Sequence, residues 1–221
     1  MNLIEKATII HYHRHRITAH GDGTARALGW KAEESQLKRF QVLSTVGDLN
    51  GCSLLDVGCG YGDLKGYLDG RFSDFTYIGI DQMPEFIAEA KERYKDCADT
   101  FFYQTDFTAV TFPRVDYVMA SGVLSYRCNS PDFYTGMIRK MYEAATSAVA
   151  FNMLDAAIFT EHPLLVGHDF AEVVTFCKSL SPRVKVARGY QEDDFTVFVY
   201  RGRVIHITNL QFLLFKPMYR N

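Results

Sequence analysis

The sequence lacks the features that point to secretion or to a membrane. Its five cysteines are odd in number, scattered and without a C-x-x-C pair, which indicates reduced thiols rather than a disulfide framework. The first residues contain no apolar stretch typical of a secretory signal. The sequence contains no run of about 18 apolar residues, so we expect no membrane-spanning helix. We therefore expect a cytoplasmic protein with no membrane partner.

The chain also lacks an excess of charge of either sign. Its 24 Lys and Arg residues nearly balance 26 Asp and Glu residues, so the net charge is −2. No global field therefore attracts nucleic acid, and no basic tract predicts a nucleic-acid interface. A length of 221 residues, 48% of them hydrophobic, suits one domain with a full core.

The most informative segment is Leu54–Leu64, an apolar run that ends in three glycines at alternate positions. Gly58, Gly60 and Gly62 predict a tight turn between a buried strand and a helix, where backbone approaches a ligand closely. The turn leaves the first N–H groups of the helix free for that ligand. A dinucleotide fingerprint, G-x-G-x-x-G, would need glycine where Asp63 stands. A glycine turn without any ligand is the alternative.

The residue before the glycines narrows the class of ligand. Asp56 would repel a pyrophosphate. The D-x-G-x-G-x-G pattern resembles the first motif of the class I S-adenosylmethionine (SAM) dependent methyltransferases. Asp56 suits the ligand that this resemblance implies, which carries an ammonium group and a sulfonium. The resemblance implies SAM as cofactor, S-adenosylhomocysteine as its product, and contacts from Asp56, Gly58, Cys59, Gly60 and Gly62.

The order of elements predicts an α/β fold. Five segments alternate with helical patterns and are predicted to be strands: 53–57, 75–80, 101–107, 115–121 and 147–154. Segments 184–187 and 195–200 predict an antiparallel pair, because only a short loop separates them. The resemblance implies a Rossmann-like, doubly wound, mostly parallel seven-stranded sheet with helices on both faces and a C-terminal antiparallel hairpin.

The same resemblance sets the expected domain organisation. One methyltransferase domain covers residues 1–221, with lid helices in 1–50 and a catalytic core in 51–221. Residues 203–216 are apolar and β-branched, which suggests either a further strand or an end that pairs elsewhere, and the sequence assigns them no function. Together with Gly29-Trp30 and residues 33–36, the glycine motif resembles a bacterial small-molecule branch of the family.

Acidic residues follow two further strands. Asp81 ends the second strand at the sheet edge where ligands bind. The resemblance implies that Asp81 accepts hydrogen bonds from both ribose hydroxyls, with Gln82 and Met83 bordering the adenine. It likewise implies that Asp106 accepts from the adenine amino group and that the N–H of Phe107 meets a ring nitrogen. The alternatives are a helix N-cap for Asp81 and a turn residue for Asp106.

The end of the fourth strand and the N-terminal helix complete the expected site. By resemblance, Ser121 and Gly122 lie next to the methionine part and the transferable methyl group. The chain has neither the Pro-Pro-aromatic motif of nucleic-acid amino-methyltransferases nor a Pro-Cys pair at this position, which argues against a nucleobase acceptor. The same resemblance implies that Trp30, Gln36 and Arg39 face the cofactor or the acceptor, Arg39 by pairing with the cofactor carboxylate. The alternative is a core Trp30 and a surface Arg39.

No side chain stands out as a general base. The candidates are all weak: His162, His168, Asp155, Tyr12 and His20. A neutral amine acceptor would need no base, whereas a hydroxyl or a carbon acid would need one.

Residues 1–29 look irregular, apart from Met1–Lys6, which suggest the start of a short helix, and they contain three histidines at alternate positions. On a strand His11, His13 and His15 would share one face, which is a conceivable metal site. Because no carboxylate or thiol completes a ligand set, we expect an exposed basic segment and no metal.

The sequence therefore predicts a SAM-dependent methyltransferase that transfers a methyl group to a small-molecule acceptor by in-line displacement. A SAM-binding sensor or scaffold without catalysis is the alternative. Aminopropyl transfer is less favoured, because the chain lacks the acid pair of polyamine synthases after the fourth strand. The acceptor, the atom methylated and the oligomeric state do not follow from the sequence.

Overall fold

A computed structural model describes residues 1–202, so the strand expected within 203–216 lies outside the described residues. The helices are α1 (Leu3–His20), α2 (Glu33–Leu43), α3 (Asp63–Asp69), α4 (Pro84–Arg93), α5 (Phe133–Ala144) and α6 (Phe170–Leu180). The strands are β1 (Ser53–Val57), β2 (Thr76–Asp81), β3 (Thr100–Gln104), β4 (Val115–Ala120), β5 (Ala145–Leu154), β6 (Val184–Arg188) and β7 (Asp194–Tyr200). Short 3₁₀ turns cover Ser44–Val46 and Val123–Ser125.

The strands form one seven-stranded sheet in the order β3-β2-β1-β4-β5-β7-β6. Strands β1 to β5 pair in parallel, whereas β7 pairs antiparallel with both β5 and β6. The predicted fold class, with its C-terminal antiparallel hairpin, is therefore confirmed. Strand order reverses at β1, which lies between β2 and β4, and ligands bind at such a point outside the carboxyl ends of the strands.

The core lies on both faces of the sheet, because successive side chains of a strand point to opposite faces. Leu55 and Val57 of β1 pack in a cluster with side chains of α5 and α6. Leu54 of β1 packs on the other face with side chains of α2, α3 and α4. Burying each such aliphatic side chain contributes about 1.5–3 kcal/mol, so the rigid layers hold the strand ends of the site in place.

The N-terminal segment differs from the sequence prediction, because residues 3–20 form a helix and are not irregular. Helix α1 begins with a capping box in which the Asn2 side chain accepts from the Glu5 N–H and the Glu5 carboxylate accepts from the Asn2 N–H. The helix ends at Gly21. Its apolar side packs against a small third cluster formed by Ala27, Tyr61, Met83 and Phe86, with Ile10, Ile17 and Leu28 beside it.

The alternate histidines do not share a face, because residues two apart on a helix point about 200° apart. His13 is buried, whereas His11 and His15 are exposed. The expectation of an exposed segment is therefore wrong at His13. Within residues 1–202 no group of three or more His, Cys, Asp or Glu side chains is arranged to hold a metal. Among the same residues no helix has the length and apolar character needed to cross a membrane.

Candidate active site

A cavity of about 200 Å³ opens at the carboxyl ends of the central parallel strands. Its walls come from the glycine turn, from the ends of β2, β4 and β5, and from α1 and α2. The structure brings most of the predicted site residues to this cavity: Tyr12, Trp30, Arg39, Asp56, Gly58, Cys59, Gly60, Asp81, Gln82, Met83, Phe107, Ser121 and Gly122. Gly62 and Asp106 do not line it.

The glycine turn follows β1 as predicted, and all three glycines have positive φ. The N–H groups of Gly58 and Cys59 both donate to the Ile80 carbonyl oxygen, at 2.8 and 3.1 Å, which fixes the turn to β2. At Gly60 the φ is +55°, and a Cβ would lie 2.6 Å from Cδ2 of Leu28. A side chain here would disturb both the turn and the segment that covers it.

Asp56 is fully enclosed beside the cavity. Its Oδ2 accepts a hydrogen bond from the Tyr77 hydroxyl at 2.6 Å. Its Oδ1 is buried and has no hydrogen-bond partner among the described residues, and the same holds for Oγ of Ser121. Burial raises the pKa of Asp56 to about 7. Two unpartnered buried oxygens in one cavity wall favour a ligand that brings donors and positive charge.

Asp81 is held by the backbone on both sides. Its Oδ2 accepts from the Gly60 N–H at 3.0 Å and its Oδ1 from the Met83 N–H at 2.9 Å. The N-cap of α4 is Met83, so Asp81 supports the helix start from two residues before the N-cap. Burial raises the pKa of Asp81 to about 6, against the opposing effect of these N–H donors.

Asp106 lies after the end of β3 and starts a turn. Its carboxylate pairs with Lys6 of α1 and accepts hydrogen bonds from the N–H and hydroxyl of Thr108, at 2.9 and 2.6 Å. These contacts are those of the turn-residue alternative, and they also anchor α1. The neighbouring Phe107 lines the cavity while its ring is buried in the core.

Arg39 and Trp30 lie together on the helical cover of the cavity. Arg39 is buried, not at the surface, and forms an ion pair with Asp194 of β7. Its guanidinium carbon lies 4.7 Å from the centre of the Trp30 ring. The guanidinium also donates to the carbonyl oxygen and the hydroxyl of Ser35, at 2.9 and 3.0 Å. Contacts with Asp194, Ser35 and Trp30 therefore fix the position of Arg39 at the cavity wall.

The Arg39 contacts continue into the sheet. Asn152 of β5 donates to both oxygens of Asp194, at 3.3 and 3.2 Å. Its own Oδ1 accepts from the Gly122 N–H at 2.9 Å. Burial raises the pKa of Asp194 to about 6, and the Arg39 charge opposes that shift.

Comparison with known proteins finds a family model that matches part of the chain. Residues 54–147, which include the glycine turn, Asp81 and Asp106, match the family model described as "Methyltransferase domain". The match covers less than half of the 221 residues and lies in the part of the chain that carries the predicted cofactor motifs. The recognition made from the D-x-G-x-G-x-G motif is therefore confirmed, and SAM is the cofactor of that family.

Individual relatives agree with this family. The curated protein "Putative methyltransferase Rv1506c" of Mycobacterium tuberculosis is 40% identical over 81 residues, which are 36% of this chain and 46% of that protein. The match thus spans about half the length of that relative.

Solved methyltransferase structures share the fold over most of both chains. The DhpI-SAM-HEP complex has a TM-score of 0.67 at 15% identity and covers 91% of this chain and 100% of its own. Magnesium protoporphyrin IX methyltransferase (ChlM) from Synechocystis PCC 6803 with bound SAM has a TM-score of 0.65 at 17% identity, covering 91% and 99%. Both structures contain SAM.

The methyltransferase site does not contain most of the predicted general bases. The ring Nδ1 of His162 accepts from the N–H groups of residues 164 and 165, both at 3.1 Å, and so shapes its own loop. His168 bonds the Leu124 carbonyl, and the carboxylate of Asp155 pairs with Arg188. None of these three side chains lines the cavity, and His20 lies exposed at the end of α1. Tyr12 does line the cavity.

Several lining residues carry no local sequence signal for a role in this site. Buried His13 of α1 lies 2.6 Å from the hydroxyl of Tyr126, and both line the cavity. Gln36, expected only to face the site, donates to Asp63 at 2.9 Å. The other lining residues that the sequence analysis does not assign to the site include Leu28, Phe86, Asn152, Gln191 and Asp193.

Proposed function

We propose that this chain is a SAM-dependent methyltransferase that transfers a methyl group to a small-molecule acceptor by in-line displacement. The supporting observation is the pair of buried oxygens, Asp56 Oδ1 and Ser121 Oγ, that lack partners among residues 1–202 beside the side-chain-free turn. Each unpartnered buried polar atom costs about 1–3 kcal/mol. A ligand with an ammonium group and a sulfonium relieves that cost at both atoms.

The proposed cofactor contacts follow the walls of the cavity. Asp56 and Ser121 face the amino acid part, and Asp81, already aligned by two backbone donors, accepts from the ribose hydroxyls. Gln82 and Met83 border the adenine. The remaining proposed contacts are Gly58, Cys59, Gly60, Gly62, Phe107, Gly122, Trp30 and Arg39.

Two roles differ from the sequence prediction. Asp106 anchors α1 through Lys6, and Phe107 supplies the wall beside the adenine. Arg39 is engaged by Asp194, so its main role is to fix α2 over the cavity.

When bound, SAM supplies a methyl group already activated on a sulfonium. The chain therefore has to align the acceptor and exclude water, an effect that contributes about 7–11 kcal/mol in well-oriented reactions. Helices α1 and α2, within the proposed lid of residues 1–50, supply one wall through Ile9, Tyr12 and Phe40. The acceptor side is apolar, with Tyr126, Phe159 and Leu165, which suits a small molecule and not a nucleic acid. We also propose that residues 1–221 form a single methyltransferase domain and that the protein is cytoplasmic.

Calorimetry with SAM and S-adenosylhomocysteine tests the cofactor assignment. We expect saturable binding of both, weakened at least tenfold by Asp56→Asn and unchanged by Asp96→Asn, which alters an exposed carboxylate outside the cavity. Absence of binding at millimolar cofactor would refute the assignment. Binding without methyl transfer to any member of a broad acceptor panel would instead indicate the sensor or scaffold function.

A further inference from the structure

We infer that His13 and Tyr126 form a proton-accepting pair at the acceptor end of the cavity, and that the acceptor group is a hydroxyl. The inference rests on the proposed function, because it names the class of acceptor for the same site. Tyr126 contacts the acceptor, and His13 acts through Tyr126. Neither residue belongs to the glycine motif or to the proposed set of cofactor contacts.

The hydrogen bonds around His13 fix its tautomer. Nδ1 of His13 lies 3.1 Å from the carbonyl oxygen of Ala27, which can only accept. Nδ1 therefore carries the proton, and Nε2 is left with its lone pair. The Tyr126 hydroxyl lies 2.6 Å from Nε2 and donates to it. With its proton engaged by His13, the Tyr126 oxygen can serve the acceptor only as a hydrogen-bond acceptor.

Packing holds the pair rigidly. His13 is 4% exposed, and Ala27, its Nδ1 partner, is fully buried. The rings of Tyr12 and Phe86 each meet the His13 ring edge-on at 5.1 Å, and the Tyr126 ring does so at 5.9 Å. Rigid orientation of a proton acceptor is what a methyl transfer to a protic group requires.

The proposed step balances atoms and charge. The acceptor oxygen forms the new O–C bond with a lone pair as the methyl carbon leaves sulfur, which keeps the C–S electron pair. The acceptor proton moves to the Tyr126 oxygen while the Tyr126 proton moves to Nε2 of His13. The products are a methyl ether, a neutral thioether and an imidazolium, so one positive charge moves from the cofactor to His13. The imidazolium returns its proton to water after the products leave.

The basicity of the pair separates hydroxyl from amine acceptors. Burial lowers the pKa of His13 to about 4, the Ala27 carbonyl opposes the shift, and the Arg16 charge adds to it. The oxonium that develops on a methylated hydroxyl is a much stronger acid than this imidazolium, so the proton moves to His13. A methylated aliphatic amine is a much weaker acid than the imidazolium and gains nothing from the pair. Neutral His13 also adds no positive charge beside a cationic cofactor.

Matched acceptor pairs test the inference: benzyl alcohol with benzylamine, and 2-phenylethanol with 2-phenylethylamine. We expect methylation of the hydroxyl member of each pair and at least tenfold less of the amine. Tyr126→Phe and His13→Gln are expected to lower kcat for the hydroxyl about 10²–10⁴-fold. The affinity for S-adenosylhomocysteine should change less than threefold, since neither residue is among the proposed cofactor contacts. His15→Gln, on the exposed side of the same helix, is the matched control and keeps the wild-type kcat.

A readout independent of turnover is ¹⁵N NMR of the histidine side chains. We expect a neutral, Nδ1-protonated His13 at pH 7 that persists with bound S-adenosylhomocysteine, and a changed Nε2 shift in Tyr126→Phe. An Nε2-protonated His13, preference for the amines, wild-type kcat in folded Tyr126→Phe, or no methylation by cofactor-bound protein would each overturn the inference. Failure of S-adenosylhomocysteine to bind would instead overturn the proposed function itself.

Discussion

Arg39 of α2 and Asp194 of β7 form an ion pair in which both side chains are buried at the edge of the cavity. The pair joins the helix that covers the cavity to the C-terminal hairpin of the sheet. Through Asn152 it also reaches the backbone N–H of Gly122 at the end of β4. The cover and the sheet edge are thus held by one set of hydrogen bonds, and loss of any member should loosen both.

The first prediction concerns this pair. Asp194→Asn should lower the free energy of unfolding by about 3–5 kcal/mol, because it leaves the Arg39 guanidinium buried without a counter-charge. Urea denaturation at pH 7.5 measures the change.

Two further variants separate the ion pair from general effects of substitution. The double variant Arg39→Met/Asp194→Asn should recover part of the loss, since no unpaired charge remains. Glu34→Gln alters an exposed pair with Lys38 on the same helix and should leave the urea midpoint in place. An Asp194→Asn midpoint as high as that of Glu34→Gln would contradict the prediction.

The sheet was predictable because its signals are local. Leu54-Leu55 and the other buried strands are short apolar runs between turn residues, and each parallel strand must end at the same edge. That rule alone brought Asp56 and Asp81 together. Helix α1 was missed because its pattern misleads: Leu3 and Ile4 are 81% and 77% exposed, while His13 is buried. The Asn2–Glu5 capping pattern is the sequence signal that indicates the start of this helix.

The acceptor side of the site was not predictable from local pattern. His13 and Tyr126 are 113 positions apart in the chain, and Lys6 is 100 positions from Asp106. Each pair forms only because α1 packs across the sheet edge, and no periodicity specifies that packing. The two histidines of the loop were candidate bases, but His162 accepts from backbone N–H groups of its own loop and His168 bonds the Leu124 carbonyl after β4.

The second prediction is a pH dependence of cofactor binding. Burial raises the pKa of Asp56 to about 7 and that of Asp81 to about 6, above the ordinary value of 3.8. Between about pH 4 and 7 the folded protein therefore binds protons that the unfolded chain does not, and the free energy of unfolding falls as pH rises. A cationic cofactor needs ionised Asp56, so its affinity should rise through this window and level off above pH 7. Calorimetry from pH 5.5 to 8 measures it.

The hydroxyl of Tyr77 offers a control on Asp56. Tyr77→Phe removes the donor that stabilises the carboxylate, so the midpoint of the affinity profile should move to higher pH. Asp56→Asn should weaken binding and leave only the Asp81 titration near pH 6. An unchanged midpoint in Tyr77→Phe would show that the titration of Asp56 does not cause the pH dependence of cofactor affinity.

The third prediction compares the two acids that the sequence assigned to the nucleoside. Asp81→Ala should weaken cofactor binding by about 1–3 kcal/mol, because the ribose hydroxyls lose their acceptor. Asp106→Asn should have a smaller effect, since this carboxylate is engaged by Lys6 and Thr108 away from the cavity wall. Its main effect should be a lower thermal midpoint from a loosened α1. Equal losses of affinity in the two variants would contradict this prediction and would support a contact between Asp106 and the adenine.

The last prediction uses Trp30, the single tryptophan of the chain. It lines the cavity, and a Cβ added at Gly122 would lie 2.7 Å from its ring. Gly122 has a φ of +80°, so Gly122→Ala strains the backbone and displaces the indole together. We expect a shifted emission maximum in the free variant and at least a tenfold loss of S-adenosylhomocysteine affinity, about 1.4 kcal/mol. A Cβ added at Gly136 in α5 meets no atom within 4 Å, so Gly136→Ala is the control and should keep the wild-type emission and affinity. Wild-type emission in Gly122→Ala would show that the Trp30 indole does not lie against Gly122.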